Sequence, residues 1–322
     1  MKKTFLISQP RSGSSLLQHI IGAHSHVHTF PESWLLLPIF YALRESGHQA
    51  DYQAVFAAKN IHNFIEYLPN KSADYKEAIN AHIDNLFTKA ASGSGCEYVM
   101  DKTPRYYHII NDMIEWLTDS KFILLRRNPL AVMASIINTN FNGDWSQLAQ
   151  QDRYHDLITA PNEINAAKKT HKKHIISVKY EDLVDSPEKE IEKIFEYLEL
   201  PYEESVIEYG GKVKFKGSMG KDRKSLHRHA KPVSDYKDAW LSTYHNPQIN
   251  YLARQYLDIL GPQLLSEMGY SHEDLTAMLP VADKKPFGLG LVSWQTLMKA
   301  PLQCSIAEKI SMKFARRSIQ NG

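Results

Sequence analysis

Two short runs in the chain combine residue types that suit the binding of an anion. The first is Gln9-Pro10-Arg11-Ser12-Gly13-Ser14-Ser15, which sits between an apolar run and the residues Leu16, Leu17, Ile20 and Ile21 at helical spacing. A glycine and small hydroxyl residues at a strand-to-helix turn expose successive backbone N–H groups. The helix start adds partial positive charge, so such a turn can cradle a phosphate. The run is not GxxxxGK[ST], because Arg11 precedes the glycine and no lysine follows it. A hydroxyl-rich helix cap is the plainer use of the same residues. The second run spans Phe122 to Ser135. Arg127 falls just past an apolar strand, at the edge where open α/β sheets bind ligands, and Ser135 lies eight residues on, within the next helix. A guanidinium fork and a hydroxyl can grip one anionic group together. The competing use is an ion pair of Arg126 or Arg127 with a local carboxylate.

The elements that must position these residues follow from periodicity. Lys3–Ser8, Tyr98–Met100, Lys121–Leu125 and Ile175–Val178 read as short buried strands. Helical patterns separate them: one carries Ile109, Ile110, Met113, Ile114 and Leu117, one has Pro129 at its first position, and one runs from about Pro187 to Leu198. Strands alternating with helices imply crossover connections, a central parallel sheet and a three-layer α/β domain. Ser33–Ala91 reads as a helical insertion between the first two strands. The expected organisation is a domain over 1–282, with 33–91 inserted and an amphipathic extension over 283–322.

Composition narrows the class. Of 322 residues, 43% are hydrophobic and 23% charged, which excludes disorder, collagen and a disulfide scaffold. With 38 Lys+Arg against 36 Asp+Glu, the formal charge of +2 argues against a nucleic-acid polymer as partner. Cys96 and Cys304 match no metal spacing and suggest a reducing compartment, with one long-range disulfide left open. The apolar run Phe5-Leu6-Ile7 is too short for a signal peptide, and Trp34–Leu43 contains Pro38 and does not read as a membrane span. A cytoplasmic protein is expected.

Pro10–Ser15 resembles the 5′-phosphosulfate loop of sulfotransferases that use 3′-phosphoadenosine 5′-phosphosulfate (PAPS), and Arg127 with Ser135 resembles the family's 3′-phosphate pair in type and spacing. Val178-Lys179-Tyr180-Glu181-Asp182-Leu183 is similar to the later strand segment, whose tyrosine lies near the nucleotide. The resemblance runs from about Lys3 to Leu200, and more weakly to Leu265. It implies a P-loop-like form of the three-layer fold, PAPS as donor, and 3′-phosphoadenosine 5′-phosphate (PAP) as product. Arg11, Ser12, Gly13, Ser14, Ser15, Arg127, Ser135 and Tyr180 would contact the nucleotide. Ser218 and Lys221, in Lys216–Lys221 where family members close a loop, would add contacts; a solvated basic loop is the alternative there.

Sulfuryl transfer to a hydroxyl or amine needs a base for the acceptor proton and cations for the developing charge. The transferred group carries less charge than a phosphoryl group, so no metal is required. Many cytosolic members use a histidine two positions after a lysine, but in Asp101-Lys102-Thr103-Pro104 a proline stands there. Protein-tyrosine sulfotransferases and similar bacterial enzymes, which also carry Arg in the phosphosulfate loop, place a basic glutamate in the region of Glu32. A carboxylate can serve as base when partial burial favours the proton. Complementing a helix dipole ahead of Trp34-Leu35-Leu36 is the other role open to Glu32. Arg11 and Lys102 would be the electrostatic pair; a surface ion pair with Asp101 is the plainer reading of Lys102. A P-loop-like kinase, opposed by the missing lysine, and a catalytically idle PAP- or PAPS-binding module are the rival functions.

The aromatics of the insertion (Trp34, Phe40, Tyr41, Tyr52, Phe56, Phe64, Tyr67) suit the pocket of an acceptor such as a saccharide, a lipid-linked glycan or another hydroxyl-bearing metabolite. His24, His26 and His28 alternate, as do His227 and His229, which would put them on a strand face. No carboxylate-bearing metal motif accompanies them, so surface or acceptor-pocket positions are expected and no metal site. The stretch from Leu289 to Arg317 mixes apolar residues with cations. Packing on the parent domain or on the partner of a homodimer, and a peripheral membrane contact, are the uses it admits.

Overall fold

The computed structural model describes residues 1–47, 50–149, 151–215, 230–234 and 237–281. Strands β1 (Lys2–Ser8), β2 (Val27–Thr29), β3 (Tyr98–Lys102), β4 (Ser120–Arg126) and β5 (Ile175–Lys179) form one sheet in the order β2-β3-β1-β4-β5. Every pairing is parallel. Helix α1 (Ser14–Gly22) follows β1; α2 (Leu36–Tyr41), α3 (Ala54–Ile65) and α4 (Ser72–Ala90) lie between β2 and β3; α5 (Ile110–Trp116) leads to β4. Between β4 and β5 come α6 (Pro129–Asn140), α7 (Gln151–Tyr154) and α8 (Ala160–Thr170). After β5 follow α9 (Tyr180–Asp185), α10 (Pro187–Leu198), α11 (Pro247–Met268) and α12 (His272–Ala277).

Strands buried on both faces read as continuous apolar runs, and their period of two distributes side chains between two cores. Phe5, Ile7, Val99, Phe122 and Leu124 pack with Leu36 and Phe40 of α2, Ile83 and Phe87 of α4, and Met113 of α5. The alternate residues Leu6, Met100, Ile123, Leu125 and Val178 pack with Leu17 and Ile20 of α1 and with Ile191 and Phe195 of α10. These are the three layers expected from the sequence. A third core joins Val132 and Ile136 of α6 to Leu252 and Tyr256 of α11 and Leu275 of α12.

Three expectations need correction. Val27–Thr29 is an edge strand, so the helical segment enters between β2 and β3 rather than between β1 and the next strand. Three residues are too few for a periodic signal; pairing with β3 at Val27↔Tyr98 supplies the order. The helix expected around Ile109 begins as a 3-10 turn over Pro104–Ile109, because Pro104 starts the turn immediately after the strand. His24, His26 and His28 share no strand face: only His28 lies in β2, while His24 is buried in a turn against the Pro201 carbonyl at 2.9 Å. Ser218, Lys221, His227, His229 and the extension over 283–322 lie outside the described residues. Among the described residues no helix is long and apolar enough to cross a membrane.

Helix α11 begins at Pro247, and the Asn246 side chain accepts from the N–H groups of Gln248 (2.9 Å) and Ile249 (3.2 Å). Asn246→Ala should therefore cost about 1 kcal/mol, read as a lower urea midpoint with an unchanged slope.

Candidate active site

In a parallel sheet all carboxyl ends of the strands share one edge, and ligands bind in the crevice outside it. Each of the five strands delivers one of the chemically singled-out residues there. Arg11 stands three residues beyond β1, Glu32 three beyond β2, Lys102 is the last residue of β3, Arg127 follows β4, and Tyr180 follows β5. Ser14 and Ser15 open α1. The strands on either side of the reversal in connection direction are β1 and β4, and it is their two loops that bond directly.

Arg11 joins the loops. Its Nε donates to Ser135 Oγ at 3.2 Å, and its carbonyl oxygen accepts from Arg127 Nη1 at 3.1 Å. The Arg127 guanidinium stacks over the Tyr180 ring, 4.2 Å from its centroid. Neither arginine of the second run makes the ion pair considered from sequence as its main contact: Arg126 Nη1 donates to the Met268 carbonyl at 2.7 Å at the end of α11, and burial pushes its pKa down. The turn itself has Arg11 at φ 70 and Gly13 at φ 92. Gly13 stands at the N-cap position and no side chain caps α1, so the hydroxyl-rich cap does not form. Ser12 Oγ and Arg127 Nε are buried and have no hydrogen-bond partner among the described residues. A buried donor left unsatisfied costs about 1–3 kcal/mol. An oxyanion at the start of α1 would relieve that cost, so the residues present fit an anionic nucleotide group.

Glu32 and Lys102 form the second feature. Lys102 Nζ donates to Glu32 Oε1 at 2.6 Å, with only 1% of the lysine side chain and 18% of the glutamate side chain exposed. The indole N–H of Trp34 donates to Glu32 Oε2 at 3.2 Å. Glu32 thus turns toward β3 instead of serving the N-terminus of α2. Lys102 makes no surface pair with Asp101, since neighbours along a strand point to opposite faces. The end of β2 is pinned to α1: buried Gln18 Nε2 donates to Thr29 Oγ1 (2.9 Å) and to the Phe30 carbonyl (2.8 Å). This links helix α1 to the Glu32 loop.

Several residues here carried little or no signal in the sequence. Asp101 is fully buried and accepts from the hydroxyls of Ser33, Thr103 and Tyr106. Burial pushes its pKa up, with those bonds and Lys102 opposing. Buried Asp156 takes a two-point contact from Arg105 (3.1 and 2.9 Å), a bond from Arg153 (2.8 Å) and one from the Tyr107 hydroxyl (3.0 Å). The Arg105 guanidinium lies 5.5 Å from the Trp34 ring centroid. The run Asp101-Lys102-Thr103-Pro104-Arg105 offered one clue: three charged residues within five positions, next to the apolar run Tyr98–Met100.

An open parallel α/β sheet with an uncapped, glycine-bearing turn after β1 and cations gathered at its carboxyl edge defines a nucleotide- or oxyanion-binding protein. The chain belongs to the sulfotransferase family, whose profile matches residues 4–204, more than half of its length. It is 25% identical over 288 residues to the nodulation protein NoeE of Sinorhizobium fredii (strain NBRC 101917 / NGR234), covering 83% of this chain. The chain spans 65% of NoeE, less than two thirds of that relative's length. Its fold is similar to the sulfotransferase domain from the curacin biosynthetic pathway, at 18% identity and a TM-score of 0.52 over 87% of this chain and 99% of that one. The sulfotransferase domain of the Synechococcus PCC 7002 olefin synthase gives 24% identity and a TM-score of 0.50, covering 75% of this chain and 88% of that chain.

A methyl group at position 13 would lie 2.5 Å from Cδ2 of Tyr180 on a backbone at φ +92. Gly13→Ala adds about 1–2 kcal/mol of left-handed strain and displaces the ring that supports Arg127. Calorimetry should show binding of PAP, the nucleotide implied by the sequence resemblance, weakened by about tenfold or more.

Proposed function

We propose that the chain transfers a sulfuryl group from PAPS to an acceptor hydroxyl or amine, with Glu32 as general base and without a metal. The observation that carries this reading is the contact between Glu32 and Lys102 at 2.6 Å, at the sheet edge where the Arg11–Ser15 turn also opens. The N–H groups at the start of α1, with Ser12 and Arg11, would hold the 5′-phosphosulfate. Arg127, Ser135 and Tyr180 would hold the 3′-phosphate end. The bound donor supplies an activated sulfuryl group with PAP as leaving group.

The chain's own residues do the rest. Glu32 takes the proton from the acceptor. The acceptor oxygen or nitrogen forms its bond to sulfur as the bond between sulfur and the PAP oxygen breaks. Lys102, released from Glu32 as that carboxylate becomes neutral, turns its charge to the sulfonate oxygens. Arg11 and the helix start take up the charge growing on PAP, where preorganised donors act without reorganisation. This exchange of partners keeps a cation beside a negative group at each stage, as a buried ammonium requires. Lys102 for the sulfonate oxygens, with Arg11 and the start of α1 for the leaving group, can meet the charge that develops in the transfer, which is the support for metal independence. The segment 33–91 follows Glu32 directly, with its first helix starting at Leu36, and in this reading its helices wall the acceptor pocket of a catalytic domain over 1–282.

Glu32→Gln keeps an oxygen for Lys102 and removes the base. It should lower kcat by about 10²–10⁴-fold, with PAP affinity by calorimetry little changed. Wild-type release of PAP from PAPS in the presence of acceptor should persist in a chelator. Full turnover in the Gln variant would overturn the base assignment, and dependence on a divalent ion would overturn the metal-free reading.

A further inference from the structure

The transfer chemistry leaves one buried carboxylate at the site without a task. Asp101 has no exposed surface and precedes Lys102 in β3. Its Oδ2 accepts from Ser33 Oγ at 2.6 Å and from the Tyr106 hydroxyl at 2.9 Å, and its Oδ1 from Thr103 Oγ1 at 2.9 Å. Each of these hydroxyl oxygens also accepts one backbone N–H from the segment just beyond Glu32. Thr103 Oγ1 takes that of Trp34 (3.4 Å), Ser33 Oγ that of Leu35 (3.1 Å), and the Tyr106 hydroxyl that of Leu36 (3.2 Å). Three successive amides are therefore held through three hydroxyls that converge on one carboxylate.

The held segment is strained where it matters. Trp34 has φ 55, a conformation rare for a bulky residue, and strain of this kind persists only where surrounding contacts over-determine it. The same Trp34 donates its indole N–H to Glu32 Oε2. We infer that Asp101 is a positioning residue for Glu32: by orienting the hydroxyls of Ser33, Thr103 and Tyr106 it fixes Trp34–Leu36, and with them the Glu32 carboxylate against Lys102. The inference rests on the reading of Glu32 as the base.

A carboxylate does this and an amide does not. A hydroxyl has one proton. When it is given to Asp101, the oxygen's lone pairs are left for the backbone amides. The amide of an asparagine keeps one acceptor and presents donors in place of the other. Those donors compete with Trp34, Leu35 and Leu36 for the hydroxyl lone pairs. Asp101 is absent from the Arg11–Ser15, Arg127, Ser135 and Tyr180 contacts, so the donor-binding side should not register the change.

The test uses Asp101→Asn, Thr103→Val and Ser33→Ala in the full chain. The Asn variant should lose about 10–100-fold in kcat, the scale of an ångström-sized misplacement. KM for PAPS and PAP affinity should stay within about twofold. Backbone amide exchange over residues 34–36 should accelerate. Adding Ser33→Ala to Asp101→Asn should cost less than the two single effects combined, as expected for members of one network. Unchanged exchange at 34–36, unchanged kcat despite faster exchange, or equal loss of PAP affinity and turnover would each overturn the inference. If the Asn variant does not fold, Thr103→Val carries the same readouts with a smaller expected loss. Failure of the base reading is separately visible, since it appears as full turnover in Glu32→Gln, whereas failure of the positioning role appears in the exchange at 34–36.

Discussion

A lysine ammonium with 1% of its side chain exposed must have an anion beside it, and for Lys102 that anion is Glu32. Leaving such a cation unpaired costs about 3–5 kcal/mol, a large share of the stability of an ordinary domain. The pair therefore constrains the chain on both sides. It draws the Phe30–Leu35 segment across the end of β3, which requires β2 to end at the sheet's carboxyl edge. It also requires the helical segment after Glu32 to set out from that edge, so α2 packs on the face shared by Phe5, Val99 and Phe122. One ion pair at the sheet edge thus also bears on where a layer of the fold begins.

The turn after β1 meets a complementary constraint. Backbone N–H groups at a helix start are worth most when no side chain satisfies them, and α1 begins at Gly13 without a side-chain cap. The turn reaches this state through two residues at positive φ, Arg11 and Gly13, and is held by Arg127, just past β4, and by Ser135 of α6. Tyr180, the first residue of α9, closes it, lying so close to Gly13 that a side chain there would collide. Positive φ at Arg11 and at Trp34 marks two loops at the sheet's carboxyl edge, and each is held in part by residues of other segments, Arg127 and Ser135 in one and Thr103 in the other. Loops fixed in this way leave little ordering to be done on association.

Much of the fold was legible because parallel strands buried on both faces leave uninterrupted apolar runs, as at Phe5–Ile7 and Phe122–Leu125. Pro129 likewise marked a helix start, and Asn128 before it caps α6 through Leu130 N at 2.9 Å. What escaped was short or depended on partners. β2 has three residues and owes its order to β3, and Pro104–Ile109 winds as a 3-10 turn beneath the sheet edge. Asp101 could be read only as a neighbour of Lys102 along the chain, since the hydroxyls of Ser33 and Tyr106 that give it a role come from other segments.

The amino-acid sequence by itself determined which groups are available and, for all but Glu32, which strand end carries each: an arginine and glycine after β1, a lysine ending β3, an arginine after β4 and a tyrosine after β5. These follow from local pattern, because an apolar run and the residue that ends it are contiguous. Tertiary structure alone decided which groups meet. Arg11 bonds to Ser135 124 positions away and Glu32 to Lys102 70 positions away. Contacts at such separations are set by strand order and register, which place β1 between β3 and β4. That order is decided by how the whole sheet buries its two faces, and no local run of residues encodes it.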